Sequence, residues 1–177
     1  QAFGQLLQFS DKIDEQIYKR EDTVNYLDKV ISEYISAALA TPNLNVNISQ
    51  ALSSYYLMLV DIERISDYAV NMNHQATKRL QGDMTISEIE IVEHMKKLCV
   101  DMKNDLSDVE EAERKDDVID SLVSSWREAQ IQALKQQKCS SEVSMMLSRI
   151  FTDFERINDH ALNVSQEFDK INIEIPE

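Results

Sequence analysis

At 177 residues with 43% hydrophobic side chains, the chain is long enough for one or two small cores, and nothing in it forces two independent domains. Two glycines and two prolines are too few to punctuate β-structure, so the composition excludes sandwiches and barrels and points to an all-α protein. A formal charge of -14 repels phosphodiester backbones and anionic lipid headgroups, which argues against nucleic acid as a partner and in favour of cations or basic protein surfaces.

From Gln1 to about Tyr18, apolar and charged residues alternate at helical spacing, and this stretch is predicted to run into a long helix from about Asp11 to Ala40. Thr41-Pro42-Asn43 ends that helix, because proline lacks an amide proton and disfavours helix in the residue before it. Helical spacing resumes near Ile48 and continues to about Leu80, where Gly82-Asp83 breaks it. Thr85-Ile-Ser-Glu88 then reads as a capping box opening the next helix. Ile86 to Gln137 contains no breaker, but the polar stretch from Asn104 to Lys115 predicts two helices joined near Leu106 to Glu111. Ser140-Ser141-Glu142 restarts a helix that runs to about Lys170, and the residues after it read as a frayed tail.

Cys99 and Cys139 are isolated and lack CxxC spacing, which fits a reducing cytosolic setting rather than a disulfide framework or a zinc knuckle. No apolar run approaches the ~18 residues of a membrane span, and the N-terminus lacks the basic start and apolar stretch of a signal peptide. The chain is therefore read as soluble. Its start at Gln1 without a methionine is read as that of a fragment with room for a membrane portion upstream.

One phrase occurs twice, as Val60-Asp-Ile-Glu-Arg-Ile-Ser-Asp-Tyr-Ala-Val-Asn71 and as Thr152-Asp-Phe-Glu-Arg-Ile-Asn-Asp-His-Ala-Leu-Asn163. The duplication reaches further upstream, since Glu21 to Leu27 precedes the first copy by about the distance at which Asp116 to Leu122 precedes the second. Each half thus has an acidic helix followed by a signature helix, and the helix ahead of that pair is full length in the second half and shortened in the first. These features predict two pseudo-symmetric antiparallel helical bundles of about five to six helices in all: residues 1–82, residues 83–171 and a tail over 172–177.

Each acidic pair is spaced i, i+4, so both members share one helix face: Glu21/Asn25, Glu63/Asp67, Asp116/Asp120 and Glu155/Asp159. All four border apolar stripes, Tyr55, Leu59, Ile62 and Ala69 in the first copy and Leu147, Phe151, Phe154 and Ala161 in the second. A carboxylate at the edge of a packing seam is partly desolvated and is costly unless something positive neutralises it. Two readings stay open. The pairs face each other across helix seams and hold hard or borderline cations such as Mg, Mn, Fe, Ca or Zn, or they are saturated by Arg64, Arg156 and lysines in a purely structural docking or dimerisation bundle. A carboxylate-bridged metalloenzyme is a third reading, against which stand the lack of an ExxH motif, of a general base and of a glycine-rich loop. His74 reads as a surface or capping residue, His94 as a surface residue, His160 as turned away from the acidic edge in a helix-packing role or one supporting the metal ligands from behind, and Ser66 and Asn158 as small residues that let helices approach closely.

At Asp61-Ile-Glu-Arg-Ile-Ser-Asp67-Tyr-Ala and its echo Asp153-Phe-Glu-Arg-Ile-Asn-Asp159-His-Ala, the chain resembles the PhoU phosphate-uptake regulator family, which repeats ERIGD-like signatures in two three-helix halves. The resemblance spans about Glu21 to Asn163. It implies multinuclear metal clusters, iron or zinc first and magnesium or manganese as alternatives, held by E(D)xxxD pairs that fall here on Glu21/Asn25, Glu63/Asp67, Asp116/Asp120 and Glu155/Asp159. It departs from the family pattern where Ser66 and Asn158 replace glycine, and where Asn25 replaces an acid that Asp22 or Asp28 would have to supply. The implied role is a non-enzymatic regulator on the cytoplasmic face of the membrane. Its partners would be the membrane domain or permease of a phosphate transporter, inorganic phosphate through metal, and further copies of itself. The shortened first helix resembles the PhoU-like cytoplasmic domain of a sodium/phosphate cotransporter.

Overall fold

The computed structural model describes residues 1–79, 84 and 86–174, and its regular structure is entirely helical. Six helices follow in chain order: α1 (Ala2–Leu7), α2 (Asp11–Leu39), α3 (Val46–Arg79), α4 (Ile86–Asn104), α5 (Val109–Lys135) and α6 (Ser141–Glu174). The break expected at Gly82-Asp83, the Thr85 end of the capping box and the last three residues lie outside the described residues.

Local chemistry explains most of the ends. Gln137 follows the α5 C-cap with a positive φ of 57°, and Asn43, in the turn after α2, has a φ of 59°, a conformation that asparagine tolerates better than most side chains. The stretch from Ile86 to Gln137 divides after Asn104, and Asp108 caps α5 by accepting a hydrogen bond from the Glu111 amide at 3.1 Å.

One expectation is corrected. Gln1 to Tyr18 does not run unbroken into the long helix, because Gln8 and Ser10 take extended backbone and the chain turns between α1 and α2. No glycine or proline marks that turn. It is held by the buried Gln5 side chain, whose Nε2 donates to the Ser10 carbonyl at 3.0 Å while its Oε1 accepts from the Ser10 amide at 2.8 Å.

The signature helices α3 and α6 pack antiparallel as the central pair, with α2 flanking α3 and α5 flanking α6. On one face of this pair, α1 lies against α3 and α4, and α4 against α5 and α6, so that each half is a three-helix unit. Within the described residues α1 spans six positions and α4 nineteen.

The largest enclosed apolar side chains of the core are Leu6 and Met72 from the first half and Val92, Met95, Met102, Ile119, Val123, Leu147, Ile150, Phe151 and Phe154 from the second. Phe3 of α1 meets Phe154 edge to face at 5.9 Å, plugging the junction of the halves. Burying each such side chain contributes about 1.5–3 kcal/mol. The α3/α6 seam is partly polar: Asp61 Oδ1 bonds His160 Nδ1 at 2.7 Å and accepts from Asn163 Nδ2 at 3.2 Å, and the His160 ring stacks on Tyr68.

Candidate metal centre

The α5/α6 seam brings three of the four acids expected in the second half together. One carboxylate oxygen from each of Asp116, Asp120 and Asp159 lies within 4.8 Å of the others. The i, i+4 spacing puts Asp116 and Asp120 on one edge of α5, and antiparallel packing carries Asp159 of α6 across to them.

The electrostatics show a site that is only partly compensated. Burial, followed by repulsion from Asp120, Asp159 and Asp117, pushes the Asp116 carboxyl up to about 6. Burial, with Asp159, Glu155 and Asp117 behind it, also raises Asp120, against a partial pull from Arg127. Asp116 Oδ1 is fully enclosed and has no hydrogen-bond partner. A buried acceptor left unmatched costs on the order of 1–3 kcal/mol. Three converging oxygens with one unmatched lone-pair set fit a cation, and a donor set without thiol or imidazole favours hard and borderline ions over soft ones.

Glu155 stands apart from the triad. Arg127 of α5 donates from Nη1 to Glu155 Oε1 at 2.7 Å and from Nη2 to Oε2 at 2.6 Å, a bidentate pair steadied by a further donation to Thr152 Oγ1 at 3.1 Å. Arg127 was missed in the sequence because it lies 28 residues from Glu155 and belongs to the helix across the seam, not to the signature itself. Arg156, the arginine that does belong to the signature, reaches Asp159 at 3.2 Å.

In the first half the same positions are arranged more loosely. Asn25 donates from Nδ2 to Glu21 Oε1 along α2. Arg64 lies 3.8 Å from Glu63 and 3.9 Å from Asp67. The Glu63 carboxyl is raised by burial, then by Asp67, and also by Asp28 and Glu21 across the α2/α3 seam, with Arg64 acting in the opposite direction. Glu21, Glu63 and Asp67 therefore share a seam, joined by Asp28, while Asn25 is exposed, and they form no carboxylate triad as close as that of the second half.

His74 is exposed, and His94 is exposed with its ring against the edge of Trp126 at 5.6 Å. Asn158 is enclosed, its Nδ2 donating to the Phe154 carbonyl at 2.7 Å and its Oδ1 without a partner, which makes it a packing residue with an unmatched acceptor.

Comparison with known proteins follows the same duplication. The sequence model of the PhoU domain matches residues 5–76 and again residues 86–168. The chain belongs to the PhoU family. This PhoU domain is 23% identical over 178 residues to the Phosphate-specific transport system accessory protein PhoU homolog 1 of Thermotoga maritima, covering 94% of this chain and 75% of that protein. Its fold matches the crystal structure of PhoU from Pseudomonas aeruginosa with a TM-score of 0.83 at 19% identity, over 98% of this chain and 88% of that one. The two matched segments of the PhoU domain coincide with the three-helix halves, and the acidic seams recur once in each.

Proposed function

We propose that this PhoU domain is a non-enzymatic, cytoplasmic regulator of phosphate transport that holds a multivalent cation on Asp116, Asp120 and Asp159. The observation that carries this reading is the enclosed Asp116 Oδ1, unmatched and surrounded by like charge, which nothing else in the described structure neutralises. Iron, manganese or magnesium suits the oxygen-only donor set best, with zinc as a further candidate. When bound, such an ion supplies the positive charge that lets inorganic phosphate approach a surface whose net charge otherwise repels it.

Asp116 and Asp120 fix the α5 side of the seam and Asp159 the α6 side, so occupancy favours close α5/α6 packing. Differential occupancy thereby biases the surface offered to a transporter. The relatedness to an accessory protein of a phosphate transport system supports that partner class, and a sodium/phosphate cotransporter is one member of it. In the first seam, the Asn25 contact to Glu21 and the Arg64 contacts to Glu63 and Asp67 favour the structural, metal-free reading.

Elemental analysis of protein purified without chelator and then exposed to iron, zinc, manganese and magnesium tests this. The expected result is about one ion per chain that is lost in the Asp116→Asn/Asp120→Asn variant. A chain that stays metal-free, or a variant that keeps the metal, overturns the proposal. Calorimetric titration with inorganic phosphate, run with and without the ion, tests the anion step separately.

A further inference from the structure

Along the α5/α6 seam the charge changes sign within two helical turns. Asp120 and Arg127 stand seven residues apart on one edge of α5, about 10 Å along its axis. Glu155 of α6 engages both: it accepts from two nitrogens of Arg127, and its charge reaches the Asp120 carboxyl, which burial and then Asp159, Glu155 and Asp117 raise and Arg127 pulls down.

The guanidinium is held as a fixed fork. Thr152 Oγ1 donates to the Ser148 carbonyl at 3.1 Å and accepts from Arg127 Nη2 at 3.1 Å, so the hydroxyl locks one edge of the group while Nη1 and Nη2 each aim a proton at Glu155. Such a fork fits two oxygens of a phosphate as it fits those of a carboxylate. The side chains of Arg127 and Glu155 are 36% and 23% exposed, and an ion pair open to water is worth little net, so exchange of one anion for another is cheap. The duplication also sets this pair apart. Arg64 and Arg156 recur in both phrases, each beside a carboxylate of its own helix, whereas Ser32 and Val60 stand in the first half where Arg127 and Thr152 stand in the second. Since α2 packs on α3 without the pair, helix packing alone does not call for it.

We propose that Arg127, positioned by Thr152, is an anion-binding residue for inorganic phosphate beside the Asp116, Asp120 and Asp159 centre, and that Glu155 is the internal carboxylate that competes for its fork. This rests on the cation proposed at the triad: with the charge there neutralised, Glu155 is free to turn from Arg127 toward Asp120 and Asp159, whose repulsion otherwise opposes that move. Phosphate then meets a guanidinium on one side and a neutralised triad on the other, where the net charge of -14 otherwise repels it. Cation and anion binding reinforce each other, and each ligand raises the affinity for the other by the same factor.

Calorimetric titration with inorganic phosphate in two backgrounds tests this: the wild-type chain saturated with Mn2+, and the Asp116→Asn/Asp120→Asn variant in chelator, where most of the triad's charge is removed covalently and no metal is needed. In both, one phosphate per chain is expected to bind saturably, about tenfold or more weaker in Arg127→Gln and several-fold tighter in Glu155→Gln, with circular dichroism unchanged and with Mn2+ still held by Arg127→Gln in the first background. Arg127→Lys, which keeps the charge and gives up the fork, is expected to weaken binding too and serves if Arg127→Gln does not fold. Phosphate binding indifferent to Arg127, or not improved by Glu155→Gln, overturns the proposal and leaves the cation at the triad standing. Absence of phosphate binding in both backgrounds also overturns it. A wild-type chain that takes up no Mn2+, beside a neutralised variant whose phosphate binding depends on Arg127, removes the cation and upholds the anion-binding role.

Discussion

Arg127 grips both oxygens of Glu155, at 2.7 and 2.6 Å, and so withdraws from the α5/α6 seam the carboxylate that the duplicated phrase places beside Asp159. Charge-assisted bidentate pairs are among the stronger hydrogen-bonded contacts, and this one also draws positive charge towards Asp120. Arg127→Ala is expected to release Glu155 as a fourth oxygen donor and to tighten Mn2+ binding about tenfold, or about 1.4 kcal/mol, in calorimetric titration. The metal-free protein is expected to lose about 1 kcal/mol, which for its size lowers Tm by roughly 2–4 °C. Unaltered affinity would mean that Glu155 cannot reach the triad.

Asp116→Asn keeps the shape of the side chain and removes the charge that Asp120, Asp159 and Asp117 oppose. The metal-free variant is therefore expected to melt at or above the wild-type temperature, against the usual tendency of substitutions to destabilise. What it is expected to lose is the cation-induced rise in Tm, which for a ligand at 100 times its Kd corresponds to about 2.7 kcal/mol in the wild type. Scanning calorimetry of both proteins with and without Mn2+ checks this, and a variant that keeps the cation-induced rise would remove Asp116 from the ligand set.

The pH dependence of the metal-free protein carries an unusual sign. Burial pushes both Asp116 and Asp153 up to about 6, with repulsion adding at Asp116 and Arg149 opposing at Asp153. A folded carboxyl of raised pKa binds its proton more tightly than the unfolded chain does, so folding takes up protons between about 4 and 6 and stability falls as pH rises through that window. Glu111 and Glu167, held low chiefly by Arg114 and by Lys170 with Ser54 respectively, act oppositely, but only at lower pH. Urea midpoints in chelator are expected to be higher near pH 5 than at pH 7, and flatter across that range in Asp116→Asn/Asp153→Asn. Saturating Mn2+, which holds the triad deprotonated, is expected to reduce or reverse the slope.

Helical periodicity made the long elements legible, because Pro42-Asn43 and the polar run after Asn104 interrupt otherwise regular apolar stripes. The turn at Gln8 to Ser10 was not legible. It is held by the Gln5 side chain closing on the Ser10 backbone, a contact that residue type alone does not announce. The acidic seam of the second half could be read from i, i+4 spacing plus the duplication, whereas the engagement of Glu155 could not, since Arg127 comes from another helix. Nor does a repeated phrase guarantee a repeated environment: Glu63 and Glu155 occupy the same place in their phrases, and one sits beside Arg64 of its own helix while the other is clamped across a seam.

The same inequality of environment predicts unequal costs at matched positions. Phe154 is fully enclosed by Phe3, Trp126 and the core beneath α4, so Phe154→Ala removes a large side chain where neighbours cannot collapse, at an expected cost of about 3–5 kcal/mol. Ile62 stands at the corresponding place of the first phrase but is 43% exposed, and Ile62→Ala is expected to cost less than about 1 kcal/mol. Equilibrium urea unfolding of the two variants in parallel measures the difference. Equal losses would mean that Ile62 is covered in solution as fully as Phe154.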